Sequence, residues 1–409
     1  MDSVQLAALQ RKTIKTLTFG QILSGFGLGS TLSIGALLAA DISGTAAWSG
    51  AAATFSTLGA AFSAIPLARI ANKQGRRISL AIGAAIAISG ALLVITAAAI
   101  RVFPLLLVAL FLMGAGSAVG LQARFAATDI PETGRTGRDL ALVVWATTVG
   151  AVIGPNLFGP GEAIGHWLGM PIMTGPFAIT ILAQASASMV FFFGLRPDPL
   201  KVAQSLTDKS ALKPKTSIAT AFKTLKAYPQ AAYAVITIAL AHMVMVSVMS
   251  MTPVHMKDGG ADLVLVGFVI SLHIAGMYAF SPIFGWLADR IGQIQTVILG
   301  QLIYIVSLVV SATSGHSHQQ IMVGLFLLGL GWSASTVAGA ALLTATLPPA
   351  DKVNVQGVSD SSMQFAGAFG GGIAGTVLAA VAFSGLNYTA LIPVSIVLVL
   401  SGVAFLRKK

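Results

Sequence analysis

No cysteine occurs in the 409 residues, which excludes disulfides, thiolate metal centres and cysteine-held iron–sulfur clusters. Charge is scarce as well: 9% of residues are Asp, Glu, Lys or Arg, against about a quarter in soluble domains. A soluble enzyme is thereby excluded. Carboxylates are the rarest charged groups, 13 against 24 Lys and Arg, and none falls in the middle of an apolar run. Asp41, Glu162, Asp258 and Asp262 lie near one end of their runs and Asp360 near the other. What is present is apolar, 56% hydrophobic with 44 Gly and a mean hydropathy of +0.86.

A membrane-spanning helix needs about 20 apolar residues. Apolar runs fall at 16–40, 46–68, 78–100, 103–126, 139–160, 172–195, 229–255, 263–288, 294–313, 320–346, 355–383 and 388–406, so twelve spans are expected. The first run is longer than a signal-peptide core and leads into further spans. If alternate loops lie on alternate sides, 22 of the 24 Lys and Arg share one face and only Arg101 and Lys257 lie opposite. The positive-inside rule then places both termini in the cytoplasm of a multi-pass protein of the bacterial inner membrane. The formal charge of +11 reads as topology, with the bilayer rather than nucleic acid as partner. The polar stretch 196–228, rich in Lys and holding Pro197, Pro199 and Pro214, reads as a cytoplasmic linker. It divides the chain into an N-terminal six-helix half, 1–195, and a C-terminal half, 229–409.

Each half carries a related segment between its second and third spans, Ala68-Arg-Ile-Ala-Asn72-Lys-Gln-Gly-Arg76-Arg77 and Gly285-Trp-Leu-Ala-Asp289-Arg290-Ile-Gly-Gln-Ile294. The copies are separated by 217 positions, from Ala68 to Gly285. They resemble the loop motif G-x-L-A-D-R-x-G-R-R of the major facilitator superfamily. That resemblance covers the whole chain and implies an all-α polytopic fold of twelve helices in two pseudo-symmetric halves. It implies secondary transport by alternating access around one cavity, not an enzyme, with no bound cofactor. In family terms the segment is a conformational latch, which assigns that role to Asn72, Arg76, Asp129, Gly285, Asp289 and Arg290. The Asp suits a helix N-terminus, and Asp129 and Asp351 are the expected partners of Arg76 and Arg290. The first copy departs at Ala68 and Asn72, the second at Gln293 and Ile294.

The seventh span holds five of the 13 Met, at 243, 245, 249, 251 and 256, with His242 and His255. Met245 and Met249 share a helix face at spacing four, as do His273 and Met277 in the eighth span. Counting about 15 residues along each helix puts Met245 and His273 at one depth, roughly 22 Å from the surface, with Met277 nearly level with His242. Thioethers and neutral imidazoles suit soft Cu(I), held loosely enough to be released. The pattern M-x-x-x-M with H-x-x-x-M resembles the CcoA-type copper importers of the superfamily, in which these residues are implicated in copper uptake. The resemblance touches Met245, Met249, His273 and Met277, and depth and facing add His242. The expected cargo is thus a copper ion, with import as the leading direction.

Alternatives remain. Met also serves as flexible packing, and a mid-membrane His also serves as a proton carrier for a small organic solute or drug, including a riboflavin-like one. The stretch from Gly150 to Gly161, with Gly154, Pro155 and Gly159, resembles the Gly-Pro motif of proton-driven drug antiporters, with one residue too many before the terminal glycines. Its glycines suit close helix packing and its prolines a kink, and it leaves the direction of transport open. Gln21, Gln184, Asn156 and Gln364 are expected to hydrogen-bond between helices. The small substrate and a coupling proton complete the expected partners, on a monomer.

Overall fold

The computed structural model describes residues 3–44, 48–130, 136–153, 158–206, 217–261 and 263–406. The described chain is helical from end to end: α1 Ser3–Ser43, α2 Ser49–Gln74, α3 Arg76–Ile100, α4 Phe103–Ala126, α5 Thr136–Ile153, α6 Phe158–Trp167, α7 Gly175–Gly194, α8 Pro199–Leu206, α9 Ile218–Ala227, α10 Pro229–Asp258, α11 Leu263–Tyr278, α12 Ser281–Arg290, α13 Gln293–Ala312, α14 His318–Thr346, α15 Pro349–Thr389 and α16 Leu391–Leu406. Helix dominates because lipid offers backbone groups no partner, so each segment satisfies its own. Ten segments among the described residues are long and apolar enough to cross a membrane. One of them, 349–405, takes the last two apolar runs together, and α1 coincides with the first run, so each of the twelve runs is helical among the described residues.

Among the described residues, two spans are broken. The eighth is α11 and α12, interrupted at Ala279–Phe280 before Pro282. The eleventh carries its kink at Val381 and Ala382, where Ala382 has φ +59, and helix resumes through the polar Asn387–Thr389 to Thr389. The expected break at 383–388 therefore lies a few residues early in the structure, because the Asn387 amide donates to the Phe383 carbonyl one turn back (2.8 Å) instead of ending the helix.

Turns between packed helices are set by glycine. Gly75, between α2 and α3, has φ +99, and Gly292, between α12 and α13, has φ +107, a region L side chains avoid. The two glycines are again 217 positions apart.

Backbone contacts group the chain into two compact units. Unit 1 is Met1–Glu132, Leu142–Phe222 and Pro348–Ser361; unit 2 is Thr133–Ala141, Lys223–Leu347 and Ser362–Lys409. The expected halves are contiguous in sequence, whereas these units exchange one short segment each. The core of unit 1 mixes a few large side chains, Leu17, Leu67, Leu80 and Phe191, with many alanines such as Ala118, Ala123, Ala126 and Ala187. Small residues let helices approach closely where lipid supplies no hydrophobic drive. In unit 2, Tyr304 of α13 is fully buried over Gly331 of α14 and donates its hydroxyl to the Ala241 carbonyl of α10 (2.8 Å).

Candidate functional site

In unit 2, α14 is flanked by α10 and α11, and His273 and Met277 meet it along one stretch. His273 of α11 is fully buried and its Nδ1–H donates to the Leu325 carbonyl of α14 (2.7 Å). That bond fixes the tautomer: Nε2 holds a lone pair, and this atom is buried with no hydrogen-bond partner. One turn on, Met277 is buried where α11 crosses Gly329 of α14. On α10, Ala234 and Ile238 pack against Gly339, and Ala241 and Met245 continue that stripe at helical spacing. Met245 is 4% exposed, and Met249 is half-buried.

His242 is differently placed. Its Nδ1 accepts the Trp332 indole N–H (3.1 Å), so the proton of the neutral ring is on Nε2, which faces Gly367 of α15. Neither nitrogen then offers a lone pair, and His242 as it stands is not a metal ligand. Trp332 in turn meets Tyr278 edge to face, with ring centroids 5.4 Å apart, which levels His242 with the end of α11. Sequence reasoning passed over Trp332 and Tyr278. The available signal was an indole, a donor without an acceptor lone pair, in the interior of an apolar span.

The motif loops are built from charge. In unit 2, Asp289 at the end of α12 accepts the backbone N–H groups of Gly137 and Arg138, each at 2.9 Å, at the first turn of α5. A carboxylate there meets orphan donors and the positive end of the helix dipole. Gly285 makes the approach feasible, since a Cβ on it would lie 2.5 Å from the Gly137 carbonyl oxygen. Arg290 stacks its guanidinium over Trp286, 5.3 Å from the ring centroid. The anticipated pair with Asp351 is not among the ion pairs of the described residues, which are Arg76–Asp129, Arg101–Asp41 and Arg124–Asp360.

In unit 1, Arg76 donates Nε and Nη2 to the two carboxylate oxygens of Asp129 (2.8 and 3.1 Å), and Nη2 also to Gln356 Oε1 (2.9 Å). The pair is buried, and burial pushes the Asp129 carboxyl up against the opposing pull of Arg76 and Lys352. Asn72 is buried with its amide nitrogen unpartnered. A residue missed from sequence closes the loop: Asp198 Oδ2 accepts the Arg77 N–H (2.8 Å), and its Oδ1 accepts from Leu200 and Lys201 at the start of α8.

Along α5, Gly150 meets Gly25 of α1 so closely that a Cβ on Gly150 would lie 2.3 Å from the Ile22 carbonyl oxygen. Gly159 is exposed, and Gly154, Pro155 and Asn156 lie outside the described residues. Gln21 donates to Thr147 (3.0 Å) and Gln184 to the Ser24 carbonyl (3.3 Å); both tie helices together.

Comparison with known proteins agrees with this architecture. The family profile of the Major Facilitator Superfamily matches residues 17–277 and 255–409. The uncharacterized MFS-type transporter YddS of Bacillus subtilis is 36% identical over 91% of this chain and 86% of its own length. The riboflavin transporter RfnT of Brucella anthropi is 26% identical over 96% of each chain. Among solved structures, the human organic anion transporter MFSD10 superposes with a TM-score of 0.76 at 15% identity, covering 96% of this chain and 99% of its own, a likeness of fold alone. The paired motif loops, the all-helical membrane chain and these matches together make the protein a transporter belonging to the major facilitator superfamily.

Proposed function

We propose that this transporter carries a small organic solute with a flat, hydrogen-bonding ring system across a bacterial inner membrane, by alternating access. The observation that carries this reading is the His273 Nε2 lone pair, an acceptor held in a fixed orientation and left unpaired in a dry place. A buried acceptor without a partner costs about 1–3 kcal/mol, and a solute N–H or O–H relieves that cost while apolar walls take the ring. Trp332 and the half-buried Tyr278 supply aromatic surface next to Met277. The full-length likeness to a riboflavin transporter supports a heteroaromatic solute. His273 is fully buried, so the solute reaches it only when α11 parts from its neighbours, as an alternating mechanism requires.

Copper import is the second reading, favoured by one observation. The same lone pair has Met277 one turn along α11, and Met245 is buried on α10; thioether and imidazole are soft donors. The bond from Trp332 to His242 counts against it, because it removes the second imidazole.

Uptake by cells expressing the chain separates the two. Tritiated riboflavin and radioactive copper are offered in turn to wild type, His273→Ala and the Met245→Ala, Met277→Ala double variant at equal abundance. The organic reading expects riboflavin entry that His273→Ala removes and the double variant largely keeps. Copper entry lost in both variants reverses the order of the readings, and broad drug resistance without either uptake points to export.

A further inference from the structure

The motif loops leave one buried ion pair unused. Arg124 Nη2 of α4 lies 2.6 Å from Asp360 Oδ1 of α15, with side chains 2% and 0% exposed. Asp360 is held through a single oxygen, and its Oδ2 is buried without a hydrogen-bond partner. The residue belongs to the segment Pro348–Ser361 of unit 1, which packs on α2. Gly357 rests against Ala64, Ile65 and Ala68, and the Ser361 hydroxyl donates to the Ala61 carbonyl. The charges that reach Asp360 are Arg124 from α4 and Arg76 from α3. Arg76 is already shared by Asp129 and Gln356, and Lys352 acts on Asp129. Asp351 sits at the opposite end of the segment, more than two turns before Asp360.

Asp360 therefore sees two guanidiniums, Arg76 engaged elsewhere and Arg124 at 2.6 Å. A proton on Asp360 takes from Arg124 the carboxylate it faces at 2.6 Å inside the protein, and stripping the charge from one member of a buried pair is costly. That cost falls only if the first turns of α15 leave α4 and water reaches Arg124. Conversely, a carboxyl parted from its arginine before full hydration gains a proton. Proton binding and opening of this contact are thus linked.

We infer that Asp360 is the site where the coupling proton binds, with Arg124 as the counter-ion that keeps it ionised while the contact is closed. The proton comes from water onto Oδ2, the unpartnered oxygen, and returns to water when Arg124 closes on the carboxylate. The inference rests on the chain being a secondary transporter, as proposed above, and not on which solute it carries.

The cysteine-free chain permits a direct test. Val353 of the same α15 segment is 1% exposed in an apolar cluster with Ala68, Ala71 and Leu200, and Val353→Cys places one thiol there. The rate of its alkylation by N-ethylmaleimide is measured in the purified full chain without solute and divided by the rate for the unfolded chain at the same pH. The ratio should rise as pH falls from about 8 to 5, by up to about tenfold per pH unit for one proton. With Asp360→Asn added it should be high and flat, with Asp360→Glu pH-dependent again, and with Asp129→Asn still pH-dependent. A flat ratio in the parent, one that falls with acid, or an unchanged profile in Asp360→Asn would overturn the inference. A second arm uses vesicles and riboflavin under an imposed pH gradient. Asp360→Asn should lose uphill accumulation and retain exchange of labelled for unlabelled riboflavin. If riboflavin does not move in wild type, the solute reading fails while the thiol measurement still decides the proton site.

Discussion

Asp289→Asn tests the contact between the second motif loop and α5 most directly. The wild-type carboxylate accepts two backbone N–H groups, Gly137 and Arg138, at 2.9 Å each. Asparagine keeps one acceptor oxygen, loses the second and turns a nitrogen donor toward a backbone donor. The lost charge-assisted bond is worth about 1.5–3 kcal/mol, and the lost attraction to the α5 dipole about 0.3–1. The sum, about 2–4 kcal/mol, corresponds to roughly thirty- to seven-hundred-fold in the ratio of closed to open contact. Asp289 is only half-buried, which favours the lower end.

Ser281→Cys reports on that contact, because Ser281 is fully buried and donates to the Ala141 carbonyl of α5 (3.1 Å). Alkylation of this thiol should accelerate at least tenfold when Asp289→Asn is added, while binding of the transported solute is retained. Gly285→Ala should produce the same acceleration sterically, since its Cβ would lie 2.5 Å from both the Gly137 oxygen and Ala141 Cβ. An unchanged alkylation rate in both variants, with the protein folded, would refute the role of Asp289 as the cap that holds α5. Loss of solute binding in Asp289→Asn would instead place the residue in the transport site.

Arg76→Ala strands a buried carboxylate and should destabilise the protein by about 3–5 kcal/mol near neutral pH. Burial already raises the Asp129 carboxyl and Arg76 opposes that rise, so the variant's Asp129 titrates higher still in the folded state. A raised folded value adds stability below the unfolded one and loses it as pH rises, so the thermal deficit against wild type should shrink from pH 8 to pH 5; a constant deficit would contradict this. Gly150→Val drives a side chain into the Ile22 carbonyl of α1 and should lower the melting midpoint in detergent by an amount equivalent to at least about 1–3 kcal/mol, with Gly159→Val near neutral because Gly159 has open space around it. Ser205→Cys, exposed near the end of α8, should react with an impermeant maleimide only after cells are permeabilised, and labelling of intact cells would reverse the assigned orientation.

The helical runs and the paired loops were legible because each rests on a strong local rule. Twenty apolar residues have few alternatives to a spanning helix, and the paired motif segments mark the loops in which Gly75 and Gly292 take positive φ. The pairing of Arg76 with Asp129 was legible for a related reason, as the two are among the few charged groups near the same helix ends. Arg290 was harder, because its choice of the Trp286 face over Asp351 depends on where an indole four residues back points. His242 was harder still. Its place in a ligand set turns on which ring nitrogen is engaged, and that is decided by Trp332, ninety positions away. The Arg124–Asp360 pair escaped notice because each residue lies near the end of its apolar run, where charges are ordinarily solvated, whereas α15 begins at Pro349 and carries Asp360 well inside the helix.

The exchange of segments between the units follows from the sequence repeat. Moving 217 positions along the chain carries the first motif loop onto the second and Gly75 onto Gly292. The same step carries Thr133–Ala141 onto residues 350–358, within Pro348–Ser361. These are the two segments that leave their own sequence half and join the other unit. In unit 2 the guest segment is held by Asp289 at its backbone N–H groups. In unit 1 the equivalent position is Asn72, and side chains do the holding instead, with Arg76 on Gln356 and Arg124 on Asp360. One copy of the duplicated device thus grips by a half-buried carboxylate that accepts two backbone N–H groups at a helix start. The other has lost its acid at Asn72 and grips by a buried ion pair whose carboxylate keeps one oxygen unpartnered, so the duplication has left two chemically different grips, and the proton site inferred for Asp360 falls on the copy that departs from the motif.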